Sequence, residues 1–245
     1  MDDLEERAQS DLKFIIRELR SCRKAGAFKK VRPLFIKQMP IQKDAKDHPI
    51  SMLDCLQLVV REVFDCHFVP GEFPVEILWI YYASLYYGQV CNGGHQNLTE
   101  VVPYGPIPMR LSKSGFEAIG QPQLSHIVDD YISIISDPNI PTNVDVFGED
   151  SPCREKLWEI DSALFKIKHD DVMTPLGVMG QSLSCFEFCS DLEACSKRLG
   201  ELKKTHPYMA ARGRKIRSRK RRKLGGTGIL RNMIIYEPIK SLTPY

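Results

Sequence analysis

Apolar residues recur at three-to-four spacing from the start of the chain, at Leu4, Ala8, Leu12, Ile15, Ile16, Leu19 and Cys22, and predict an amphipathic helix over 2–24. Asp2, Asp3, Glu5 and Glu6 open it and Arg20, Arg23 and Lys24 close it, in the order that the helix dipole favours, with Gly26 as the stop. Leu53, Leu56, Val59, Val60, Val63 and Phe64 mark the buried side of a second helix to about Cys66, entered through Ser51-Met-Leu-Asp54, which has the form of a capping box. Pro74 suits the first position of a third helix, Val75 to about Val90. That helix is apolar around most of its circumference, so it is expected to be buried on several sides. It runs into Asn92-Gly93-Gly94, residues that tolerate left-handed dihedrals and are expected to stop the helix and redirect the chain.

Beyond that turn, Leu124 to Ile135 is an apolar-periodic segment, and 137–151, with Pro138, Pro141 and Gly148, reads as a loop. Ser151-Pro152 looks like an N-cap followed by proline at the first helical position. The helix after it carries the stripe Leu157, Ile160, Leu164, Phe165 and Ile167, with Trp158 at its margin. Residues 181–204 read as another helix, broken in its first half, and 27–49 as a proline-containing connector. Ile229 to Tyr236 reads as a short strand or docked extended segment. The expected fold is all-α: a single bundle of six to eight helices with an N-terminal helical extension and a basic C-terminal tail. The corresponding division is 1–49, 50–202 and 203–245.

Charge sharpens this division. The 245 residues carry a formal net charge of +3, yet 203–223 holds eleven Lys or Arg and no Asp or Glu, and 1–202 holds 21 basic against 30 acidic residues, a net of −9. Arg212, Arg214, Lys215, Arg217, Arg219, Lys220, Arg221, Arg222 and Lys223 form the densest basic run. Such a run neutralises phosphates with little sequence preference, and equally suits an acidic partner or the protein's own acidic body. It contains no aromatic residue, so base stacking is not expected. The most apolar window, Val75 to Tyr87, is interrupted by Glu76 and falls short of the roughly 18 residues of a membrane span. The acidic N-terminus lacks the order of a signal peptide, and a cytoplasmic protein is expected.

No catalytic, metal or cofactor site is expected. Cys91 and His95 are four residues apart, but the intervening Asn-Gly-Gly breaks the helix that would align them. Cys185, Cys189 and Cys195 lack the short Cys-x-x-Cys pairs of tetrahedral zinc sites, although Cys185 and Cys189 would share a helix face. The eight cysteines are expected to be reduced. His67 reads as a surface or helix-end residue, Gly225-Gly-Thr-Gly228 lacks the strand and lysine of a phosphate loop, and the pairs Asp129-Asp130, Glu149-Asp150 and Asp170-Asp171 read as solvated surface.

The aromatic helix running into Asn92, Gly93, Gly94 and His95 resembles the bacterial DNA-mimic protein family, in its C-terminal domain of unknown function. Asn97 and Leu98 stand where Gln and an aromatic are commoner. Leu157-Trp-Glu-Ile-Asp-Ser-Ala-Leu-Phe165 is similar to the family's Leu-Asp-x-x-Phe helix, with Asp161 at the acidic position, Ile160 in place of Leu and Phe165 one residue late. Ser114–Gly120 and the segment Leu124–Ile135 look like the family's next helices, and the resemblance covers roughly 50–175. It implies a non-enzymatic protein-interaction or regulatory module, one whose acidic surface occupies a DNA-binding or effector protein; the alternative is nucleic-acid binding through residues 203–223. Of the family's residues only the Asn92–His95 turn and Asp161 carry over, the turn as a structural feature first.

Overall fold

The computed structural model describes residues 2–21, 26–101, 106–136 and 151–223. The architecture is all-α. Among the described residues there are nine α-helices: α1 (Asp2–Ser21), α2 (Pro49–Asp65), α3 (Val75–Val101), α4 (Pro106–Ala118), α5 (Pro122–Ile135), α6 (Arg154–Leu164), α7 (Asp170–Ser182), α8 (Leu192–Thr205) and α9 (Met209–Lys223). Two four-residue strands, β1 (Met39–Gln42) and β2 (Phe186–Cys189), pair in parallel from Met39 opposite Phe186 to Gln42 opposite Cys189. The expected strand at 229–236, and Gly225–Gly228, lie outside the described residues.

Helix α3 is the centre of the bundle, with α1, α2, α4, α6 and α7 packed around it. Ile77, Leu78, Trp79, Ile80, Tyr82, Ala83, Tyr86 and Val90 are all fully buried. Gly115 lets α4 approach closely, because a Cβ there would lie under 3.0 Å from the Trp79 carbonyl oxygen. Helix α1 is fastened to α3 and α4 by one buried carboxylate. Asp11 accepts from Trp79 Nε1 at 2.8 Å and Ser114 Oγ at 2.6 Å, and pairs with Arg110 Nε at 2.5 Å. A single apolar stripe on α1 gave no hint of this, since Asp11 lies between Ser10 and Leu12 on a strongly charged helix.

Several boundaries differ from those the sequence suggests. Helix α2 begins at Pro49, with His48 as its N-cap accepting from the Ile50 N–H at 3.2 Å, so Ser51 is already inside the helix and forms no capping box. Helix α6 begins at Arg154; Ser151 Oγ instead accepts from the Cys153 N–H in the turn before it. The connector 27–49 contains β1, and the first half of the helix expected over 181–204 is β2. Cys185 therefore precedes β2 and Cys189 ends it, and the two do not share a helix face. Helix α7, with Pro175 inside it, was not predicted. Its glycines allow it to lie against α2: a Cβ at Gly177 would meet the Pro49 carbonyl, and one at Gly180 would meet Met52, both under 3.0 Å. Close approach to a neighbour, rather than helix propensity, selects the helix there.

Candidate interaction site at the Asn-Gly-Gly-His turn

Asn92-Gly93-Gly94 kinks α3 without ending it. Gly93 and Gly94 leave helical dihedrals, Gly94 with φ 68° and ψ −173°, a conformation that L side chains rarely adopt, and the chain then resumes as helix to Val101. Asn97 bridges the break, its Nδ2 donating to the Gln89 carbonyl and to Gln89 Oε1, each at 3.0 Å. Asn92 is exposed, while Leu98 is fully buried.

The kink turns His95 into the core, where it is completely buried. Its Nδ1 meets Asp161 Oδ1 at 2.5 Å, its backbone N–H donates to the same oxygen at 3.1 Å, and its Nε2 meets the Tyr86 hydroxyl at 2.6 Å. The ring stacks on Tyr131 at 4.5 Å between centroids and stands edge-on to Tyr86 at 5.6 Å. Burial, reinforced by Tyr131, Asp161 and Asp130, raises the Tyr86 pKa well above the ordinary tyrosine value, so its hydroxyl keeps its proton. Burial does the same for Tyr131, whose hydroxyl has no partner among the described residues. The Tyr86 hydroxyl donates to Nε2, and Nδ1–H donates to Asp161.

Both ring nitrogens of His95 are thus occupied by α3 and α6. The Cys91 thiol faces the Tyr87 hydroxyl, and its pKa is raised by burial more than that hydrogen bond lowers it. Cys91 and His95 do not form a thiol-imidazole pair. Iodoacetamide is therefore expected to modify Cys91 in the native protein several-fold more slowly at pH 7 than a model peptide thiol, with the rate rising only above the ordinary thiol range. Peptide mass mapping of a timed alkylation checks this; rapid modification at pH 7 would indicate an activated thiol. Among the described residues, Cys55, Cys66, Cys91, Cys153, Cys185, Cys189 and Cys195 are free thiols.

The basic run predicted as one binding surface is divided. Helix α9 carries it as far as Lys223, but Arg212 is fully buried rather than displayed to a phosphate. Its guanidinium grips Glu72 with two bonds, at 2.7 and 2.8 Å, and donates to the carbonyls of His67 and Lys30 at 2.9 and 2.5 Å. His206 Nε2 lies 3.1 Å from Glu72, while its Nδ1 accepts from the Tyr208 N–H, which places the ring proton on the side facing the carboxylate. The backbone N–H groups of Val69 and Arg32 complete the cage, each at 3.1 Å. Burial alone would raise the Glu72 pKa, but the hydrogen bonds from Arg212 and His206 and the Arg212 charge outweigh it and hold the carboxyl below its ordinary value. Arg214 is exposed and Lys215 is partly buried and engaged. The side chains of Arg217, Arg219, Lys220, Arg221, Arg222 and Lys223 lie outside the described residues.

An open cleft of about 830 Å³ lies over the His95–Asp161 pair, lined by Gly93, Gln96, Ser151 and the α6 residues Glu155, Trp158 and Asp161. The two segments that carried the family resemblance, separated by 66 residues in sequence, meet at its floor. Residues 71–176 match the family model described as DMP19-like protein. The match covers 106 of the 245 residues, and it is this segment that is similar to the family. No curated protein and no solved structure matches the chain. The DMP19-like segment starts at Gly71 rather than near residue 50 and ends inside α7, so it holds the whole Tyr86–His95–Tyr131–Asp161 network. Glu72 lies within it, whereas Arg212 and His206 reach it from outside.

The DMP19-like segment also contains all of the acidic excess. It has fifteen Asp or Glu against six Lys or Arg, a net of −9, which equals the net charge of 1–202 as a whole. Asp129 and Asp130 on α5, Glu155 and Glu159 on α6, and Asp170 and Asp171 at the start of α7 are exposed. Among the described residues no helix is long and apolar enough to cross a membrane.

Proposed function

We propose that the chain is a non-enzymatic protein-interaction module in which the acidic DMP19-like segment occupies a DNA-binding protein in place of DNA. The concentration of the full −9 charge of the body in residues 71–176 supports this reading above all. Carboxylates displayed on three consecutive helices present a field of the sign of a phosphate backbone, which favours encounter with a basic surface. The His95–Asp161 pin gives this reading a rigid base, because it locks α6 against the central helix.

The experiment is capture by the immobilised full chain from an extract of its own host, followed by elution with duplex DNA. The expected outcome is retention of DNA-binding proteins that duplex DNA displaces, and loss of that retention in a variant combining D129N, D130N, E155Q and E159Q with unchanged circular dichroism. Retention of no DNA-displaceable protein overturns the proposal.

The second reading, direct nucleic-acid binding, is favoured by the continuation of α9 to Lys223 beyond its docked first turns. It predicts that the full chain binds a random duplex with affinity falling steeply between about 50 and 200 mM salt. A chain ending at Ile216 is the appropriate comparison, because ending at Leu202 would also remove His206 and Arg212 and leave Glu72 unpaired.

A further inference from the structure

Trp158 and Phe165 are 69% and 54% exposed, the two most exposed large hydrophobic side chains among the described residues. Phe165 is the C-cap of α6, seven residues after Trp158, so the two lie along one side of the helix. Trp158 lines the 830 Å³ cleft, with Glu155 and Asp161 three residues to either side of it. Asp161 keeps 20% exposure of its side chain there. Its Oδ1 accepts both bonds from His95, while Oδ2 accepts none among the described residues. Arg154 also lines the cleft but is itself engaged.

An exposed indole between two carboxylates, one of them held in place from below, is complementary to a planar cation. A guanidinium stacks on an aromatic face and offers a fork of N–H donors to neighbouring carboxylates, whereas an ammonium offers a compact, strongly hydrated charge. We propose that the Trp158 cleft is a receptor for an arginine side chain of the bound protein, with the guanidinium stacked on the indole and hydrogen-bonded by Glu155 and Asp161. The proposal rests on reading the acidic segment as a protein-binding face, and it names the residue type that face recognises.

Trp79 is fully buried, so acrylamide quenching of the full chain reports mainly on Trp158. The probes are the capped peptides (Gly-Arg)3 and (Gly-Lys)3, titrated at about 150 mM salt to screen general attraction. The arginine peptide is expected to protect Trp158 and to bind at least about fivefold tighter than the lysine peptide. Trp158→Ala is expected to weaken it about tenfold and Glu155→Gln several-fold, while Trp158→Phe retains most of the affinity. Both substituted positions are exposed, so the fold is expected to persist. Equal binding of the two peptides, or binding indifferent to Trp158→Ala, overturns the proposal and reduces the effect to net charge. Protection of Trp158 by a single-stranded oligonucleotide or by concentration-dependent self-association, in place of the arginine peptide, overturns it as well. Arginine-peptide binding through Trp158 together with no captured DNA-binding protein supports this receptor while removing the broader function.

Discussion

Arg212→Ala is expected to lower the stability of the full chain by about 3–5 kcal/mol at pH 7, a large fraction of the roughly 5–15 kcal/mol of a typical domain. Arg212 and Glu72 are both fully buried and joined by two hydrogen bonds across 140 residues of sequence, so the substitution strands a carboxylate in the core. The pH dependence identifies the cause. In the native protein Glu72 has a lowered pKa, so its contribution is present above the ordinary carboxylate pKa and is lost as pH falls through the lowered folded value. Without Arg212 the desolvated carboxylate is easier to protonate than in the unfolded chain, and the deficit of the variant is expected to shrink as pH falls from 7 toward about 4.5. Urea denaturation across that range measures both effects. A deficit that is independent of pH would show that the loss comes from packing of α9 rather than from the stranded charge. Replacing both residues by apolar ones of similar volume should restore only part of the loss, since the unpaired buried charge disappears while the Val69 and Arg32 N–H groups and the His67 and Lys30 carbonyls lose their partners.

Gly94→Ala is expected to cost about 3 kcal/mol, and Gly93→Ala about 1 kcal/mol. Gly94 combines φ 68° with the tight approach of the Asp161 carboxylate, so an added methyl both strains the backbone and displaces the acceptor of His95. Gly93 has φ 175°, an extended value open to any residue, and a methyl there meets the Asn97 Cβ at 3.0 Å. The two glycines of the motif are therefore unequal, although the sequence presents them as a pair. Thermal denaturation of the two variants tests the order. A cycle with Asp161→Ala isolates the reason: in that background the Gly94→Ala cost is expected to fall to the backbone part alone, because the obstructing carboxylate is gone. Equal costs at the two glycines would show that the positive-φ geometry of Gly94 does not limit the fold.

The all-α class was legible because helical periodicity is a local property: α1, α2, α3 and α5 each bury a face whose spacing is readable in a window of about fifteen residues. The glycine turn and Asp161 were legible through a family likeness, but their contact was not. Likewise the exposure of Trp158 was visible only as a marginal position on an apolar stripe. Helix α7 escaped because Pro175, Gly177 and Gly180 argue against a helix until α2 is placed beside them. Strand β2 escaped because four residues of alternation in Phe186–Cys189 are too few without β1 as a partner.

By itself, then, the sequence determined that α1, α2, α3 and α5 are helical, that Val75–Val90 must be buried on most sides, and that an acidic body precedes a basic run. Only the tertiary structure decided that His95 binds Asp161, that Asp11 holds Trp79, and that Arg212 leaves the basic run to neutralise Glu72. The physical reason is the same in each case. The free energy of a charged or polar side chain depends on whether water or a distant residue satisfies it, and the residue that takes the place of water lies 66 to 140 positions away.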